Sequence, residues 1–93
     1  MSKFLKYKTS NFHLGSLMRR YRIRNKMRGE EATIIIGFCS VNYLYRCETG
    51  THTFPFNKIR RAMQVYKIPL DEVIEAATKD FKKSFREAMR EPG

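Results

Sequence analysis

The sequence predicts an all-α fold: a compact domain of five helices followed by a C-terminal helical extension. Three observations point there. Apolar residues recur at helical spacing along most of the chain. The β-branched run from Thr33 to Ile36, which local propensity would favour as a strand, has no second strand to pair with. Finally, 93 residues with 42% hydrophobic content suit one core, since two would leave each half too little apolar surface to offset chain entropy.

Residues 1–13 set Lys3, Lys6 and Lys8 among Phe4, Leu5 and Tyr7 without a sustained period, and read as a basic N-terminal arm. Ser10 or Asn11 is placed to cap a first helix. Leu14, Leu17, Met18 and Tyr21 fall at i, i+3, i+4 and i+7, one helical face, while Arg19, Arg20, Arg22 and Arg24 fall mostly elsewhere. This helix is expected over Leu14 to Lys26. Gly29 with Glu30 and Glu31 marks a second helix start, because acidic groups in a first turn meet unpaired amides and the positive end of the helix dipole. Its buried face is Ala32, Ile35 and Ile36, and Gly37 stops it.

Ser40 is placed to cap a third helix that runs to about Cys47, buries Leu44 and Cys47 and is closed by Gly50. Thr49 to Phe54 reads as a loop. Pro55 suits the start of a fourth helix, where its missing amide costs nothing, with Ile59, Ala62, Met63 and Tyr66 as core stripe and an end by Lys67. Pro69 opens a last segment in which Leu70, Val73, Ile74, Ala77, Phe81, Phe85 and Ala88 stay close to one face, as one long helix or two joined near Thr78. That stripe outlasts a four-helix core, so it must fold back or pair with a second chain. The expected division is arm 1–13, helical domain 14–77 and C-terminal extension 78–93.

Composition narrows the function classes. A net charge of +10 and a pI near 10.0 favour polyanionic partners. The charge is also uneven, with Lys3, Lys6, Lys8, Arg19, Arg20, Arg22, Arg24, Lys26 and Arg28 all preceding Glu30, the first acidic residue. A solvated face is the plain alternative for such a block. Cys39 and Cys47 lie outside any Cys/His cluster, so neither a metal site nor a disulfide scaffold is expected. Their use suits a reducing cytoplasm. The longest apolar run, around Ile34, Ile35 and Ile36, is too short for a bilayer, and a packed core competes for the faces a membrane-surface peptide would need.

Two short helices joined by a Gly-containing turn, inside an all-α domain, make a helix-turn-helix arrangement. Leu14-Gly15, Met18-Arg19-Arg20-Tyr21-Arg22, Met27, Glu30-Glu31, Gly37, Ser40, Tyr43-Leu44, Arg46, Glu48, Gly50, Pro55 and Ile68-Pro69-Leu70 occur in a distinctive order. That string resembles the consensus of the Cro/repressor (XRE-like, lambda-repressor-like) DNA-binding family, over the stretch from Leu14 to Ala76. The resemblance implies a five-helix domain whose third helix enters the major groove and whose dimers read two half-sites. It places Ser40 at the recognition-helix cap, Val41, Asn42, Tyr45 and Arg46 facing the groove, and Leu44 and Cys47 inward.

Asn42 and Arg46 share a helix face, and their chemistry suits adenine and guanine edges respectively. Val41 suits a thymine methyl. Tyr45 could reach a phosphate or a sugar, or be a half-buried packing residue. Arg28, the amide of Gly29, Ser40, Thr51, His52, Asn57 and Lys58 are the expected phosphate contacts. His52, like His13, reads equally as an ordinary exposed residue.

The sequence departs from the consensus in four places. The turn through Phe38, Cys39 and Ser40 carries an extra residue, or the second helix is shifted in register, and either re-aims the third helix. Gly29 stands where a phosphate-binding Gln is usual, Thr33 where a small Ala is usual, and Phe56 where a capping Ser is common. The leading expectation is a sequence-specific DNA-binding transcription regulator, a homodimer acting in the cytoplasm at the nucleoid, with no cofactor. The alternative is a repressor-fold module that binds another protein through the C-terminal helix. No enzyme is expected, because Glu30 and Glu31 splay apart, the histidines lack acidic or thiol partners, and no phosphate-cradling Gly loop exists.

Overall fold

The computed structural model describes residues 12–90, so the expectations for the arm at Lys3, Lys6 and Lys8 and for caps at Ser10 or Asn11 lie outside the described residues. Five helices succeed one another: α1 (Phe12–Arg24), α2 (Gly29–Ile36), α3 (Val41–Thr49), α4 (Phe56–Tyr66) and α5 (Leu70–Arg90). Among the described residues the fold is all-α, as the sequence predicts, and no helix is long and apolar enough to cross a membrane.

Leu14, Leu17, Met18 and Tyr21 of α1 are buried, the face their spacing predicts. The helix begins and ends two residues earlier than expected, and Lys26 turns the chain away at φ 57°. Arg22 is a correction: it lies on the buried face, 8% exposed, rather than among the solvated arginines. Gly15 sits where α1 crosses α3. A side chain there would run into the Cys47 carbonyl and come within 2.6 Å of the Glu48 carbonyl oxygen, so the absent Cβ lets the two helices touch.

In α2 the buried face is Ala32, Thr33 and Ile36, while Ile35, expected inside, is 40% exposed. Thr33 enters the core because its hydroxyl is satisfied within the helix, donating to the Gly29 carbonyl at 2.8 Å. Gly37 ends α2 at φ 95°. The turn after it spends its length inward: Phe38 is buried, and its ring lies edge-on to Phe54 with centroids 5.6 Å apart. Its amide donates to the Thr33 carbonyl at 2.9 Å. Ser40 caps α3 as expected, Oγ accepting from the Tyr43 amide at 3.2 Å. Pro55 precedes α4 and its carbonyl accepts from Lys58 and Ile59, while Phe56 is left 90% exposed.

The C-terminal segment is a single helix, so the alternative of two joined near Thr78 falls away. Its buried residues are Val73, Ala76 and Asp80, and this corrects the expected stripe, for Leu70, Ile74, Ala77, Phe81 and Phe85 are exposed. Two polar contacts fix that rotation. Tyr21 donates its hydroxyl to Glu72 Oε2 at 2.7 Å, and Asp80 accepts from the amides of His13 and Leu14, each at 2.9 Å. The pairing of Tyr21 with Glu72 and of Leu14 with Asp80 makes the helices antiparallel, and past Asp80 the last turns of α5 run beyond the start of α1. Asp80 thus does for α1 what an N-cap side chain does, from 66 residues away at Leu14.

This packing has measurable consequences. Asp80→Ala removes the side-chain acceptors of two amides and should cost about 2–4 kcal/mol, with Asp80→Asn, which keeps one acceptor, losing about half of that. Urea unfolding of both variants checks it, and an unchanged midpoint for Asp80→Ala would sink it. Burial pushes the Cys47 thiol up to about 11, whereas Cys39 is exposed in the turn before α3. A thiol reagent below about pH 9 should therefore label one cysteine of the native protein, Cys39, and both only after unfolding. Rapid labelling of Cys47 in the native state would contradict this.

Candidate nucleic-acid interface

The sequence of α3 divides it into two faces. Leu44, Cys47 and Glu48 point into the core, Asn42 and Arg46 are exposed, Tyr45 is 39% exposed and Val41 is half-buried. The inward face is held by a pair that the sequence pattern alone did not reveal. Arg22 and Glu48 form a two-pronged ion pair, Nε to Oε2 at 2.7 Å and Nη2 to Oε1 at 3.1 Å, and Arg22 Nη1 donates to the Met27 carbonyl at 2.9 Å. Donating these hydrogen bonds to Glu48 raises the Arg22 guanidinium above its ordinary value. A signal was available: Arg22 comes four residues after Met18 and Glu48 four after Leu44, so each shares the face of a core residue.

Three groups of the expected contacts come together. Arg46, His52 and Thr51 form the first. Arg46 Nη1 lies 3.5 Å from His52 Nε2, and the Arg46 carbonyl accepts from the amides of Thr51 and His52 at 2.9 and 3.2 Å. The Thr49 and Thr51 hydroxyls are 3.2 Å apart, and the His52 ring stands edge-on to Tyr43. The loop after α3 is thereby folded back on the end of that helix.

Tyr45 and Gly29 form the second group. The Tyr45 ring and hydroxyl fill the space a side chain at Gly29 would need, at the N-terminus of α2, and the Arg22 guanidinium lies 5.8 Å from the ring centroid. Gly29 therefore fits the position usually given to Gln because a residue from α3 has moved in. Next to it Arg28 is exposed, and Glu31 accepts from both its amide at 3.3 Å and its Nε at 3.1 Å, which holds the Glu31 carboxyl below the usual carboxylate range.

Lys58 makes the third group. Its ammonium lies 3.1 Å from where a Cβ of Gly37 would stand, so it covers the turn between α2 and α3, and Asn57 beside it is exposed. A groove of about 530 Å³ lies elsewhere, between α1 and α5. Phe12, Leu17 and Ala76 help to line it, with Arg19, Arg20, Glu72, Glu75 and Lys79, and it contains none of the expected contact residues.

A short capped helix with a polar exposed face, joined by a tight turn to the helix before it inside an all-α domain, defines a helix-turn-helix DNA-binding domain. The sequence matches the helix-turn-helix domain family over residues 13–76, and the chain belongs to that family, in its XRE/Cro-like form. No curated protein and no solved structure matches it.

The Gly29 and Tyr45 packing yields a prediction whose sign reverses. Gly29→Ala places a methyl group in the Tyr45 ring and should cost about 1–3 kcal/mol. In a Tyr45→Ala background the same change should stabilise by about 0.4–1 kcal/mol, through the smaller entropy of the unfolded chain. Thermal unfolding of the four variants measures this, and Gly29→Ala having one sign in both backgrounds would refute the packing.

Proposed function

We propose that the protein is a sequence-specific transcription regulator that occupies operator or promoter DNA as a homodimer, in the cytoplasm at the nucleoid. The observation that carries this reading is the exposure of Asn42 and Arg46 on one face of a capped α3, in a chain of net charge +10. Asn42 presents the donor and acceptor that adenine N7 and N6 require, Arg46 the paired donors that suit guanine O6 and N7, and Val41 a methyl surface for thymine. Arg46 turns from its loose contact with His52 to reach the groove.

Backbone contacts set the register. The Gly29 amide at the start of α2, with the Tyr45 hydroxyl beside it, takes one phosphate, and Arg28 exchanges its exposed partner Glu31 for another. Ser40, Thr51, His52, Asn57 and Lys58 ring the base-reading face and take the remaining phosphates.

Selection from random duplex, then binding across a salt series, tests the reading. Asn42→Ala or Arg46→Ala should weaken the selected site about 5- to 150-fold, the equivalent of about 1–3 kcal/mol, with little change for random DNA. Lys58→Ala should weaken both alike and flatten the salt slope by about one. Binding that prefers no sequence at any salt would refute it.

A further inference from the structure

On α5, the face that packs on α1 and the face that is apolar are different faces. Val73, Ala76 and Asp80 meet α1, while Leu70, Ile74, Phe81, Phe85 and Met89 are 58%, 53%, 61%, 49% and 61% exposed. With Ala77 and Ala88 they form one stripe along the whole helix at helical spacing. The Phe81 and Phe85 rings already stack, with centroids 5.9 Å apart. The described helix does not fold back to cover them.

Charges beside the stripe say what does. Along one edge, at spacings of four, seven and four residues, stand Asp71, Glu75, Lys82 and Arg86, two acids and then two bases. A second copy laid antiparallel, with the twofold axis between Thr78 and Lys79, sets Asp71 against Arg86 and Glu75 against Lys82 on one edge, twice over. The same register brings Leu70 beside Ala88, Ile74 between Phe81 and Phe85, and Ala77 beside Phe81, so that stripe meets stripe. A parallel pair would instead set this edge against the opposite one, where Val73, Ala76 and Asp80 are already buried on α1. The existing Glu75 and Lys79 contact, 3.3 Å and exposed, is a surface pair that yields readily.

We infer that the stripe is the homodimer surface: two α5 helices pack antiparallel about the Thr78 and Lys79 position, in a self-complementary interface of the isologous kind. The inference rests on the homodimer reading given above. The surface lies on the helix held by α1, while α3, with Asn42 and Arg46, packs on α1 and α2, so pairing leaves the base-reading face open.

Sedimentation of the full chain over a concentration series, without DNA, tests it, with circular dichroism to confirm helix content. The parent should dimerise. Phe81→Glu should raise the dimer dissociation constant at least about 30-fold at unchanged helicity, since truncation at the centre of an interface commonly costs that much. Glu75→Lys should raise it about tenfold, and Glu75→Lys with Lys82→Glu should return it to near the parent value. A chain that is monomeric at every concentration, that associates only with another protein, or whose dimer ignores Phe81→Glu overturns the inference. So does a charge-swapped double variant no better than Glu75→Lys alone. A monomer that still selects a DNA motif would overturn this surface and spare the DNA reading, and a dimer without sequence preference would do the reverse.

Discussion

The ion pair of Arg22 with Glu48 is the contact from which the rest of the domain is arranged. Both partners are almost wholly buried, so each would be strongly unfavourable without the other. Its two-pronged geometry fixes the rotation of α3 about its own axis, because Glu48 can meet Arg22 only while Leu44 and Cys47 face the core. That rotation leaves Asn42 and Arg46 outside. The remaining donor of Arg22 holds the Met27 carbonyl, and so the chain entering α2, which ties both helices of the motif to one side chain. Gly15 completes the arrangement by allowing α1 and α3 to meet at backbone distance where the pair forms.

Around this frame the unusual residues compensate for one another. Tyr45 is large and stands against α2; Gly29 is small enough to receive it. Thr33 brings a hydroxyl into a helix contact and spends it on the Gly29 carbonyl, leaving no polar group unmet. The length of the turn is used by Phe38, which becomes core. The phenol of Tyr66 is the exception: buried near the ion pair, with its ionisation pushed up by that burial, it has no hydrogen-bond partner among the described residues. Each apparent departure from the consensus therefore involves a neighbour that is itself unusual, except Phe56, whose 90% exposure nothing in the fold explains.

The helices were legible in the sequence because their signals are local. Ser40, Gly37, Gly50, Pro55 and Pro69 act on the chain within a few residues, and Leu14, Leu17, Met18 and Tyr21 repeat at the period of one face. What the sequence hid are choices made across the fold. Arg22 looked like its neighbours Arg20 and Arg24 because nothing adjacent to it reveals Glu48, and α5 looked as though its apolar stripe must be its core face. That expectation failed because two carboxylates, Glu72 and Asp80, outrank hydrocarbon in setting which side meets α1, and their partners lie far away in sequence. For the interface, composition identifies Asn42, Arg46, His52 and Lys58 as suitable groups, while the joining of Tyr45 to Gly29 needed three dimensions.

The resemblance to the family ends at Ala76, and α5 does not. Asp80 lies beyond that limit, yet it supplies the acceptor for the first amides of a helix that lies within it. The segment that matches the family and the segment tied together by these contacts are therefore different lengths. A residue outside the matched motif is thus responsible for a helix end inside it, and a chain trimmed to residues 13–76 would keep only the first turns of α5 and leave α1 to fray at His13 and Leu14.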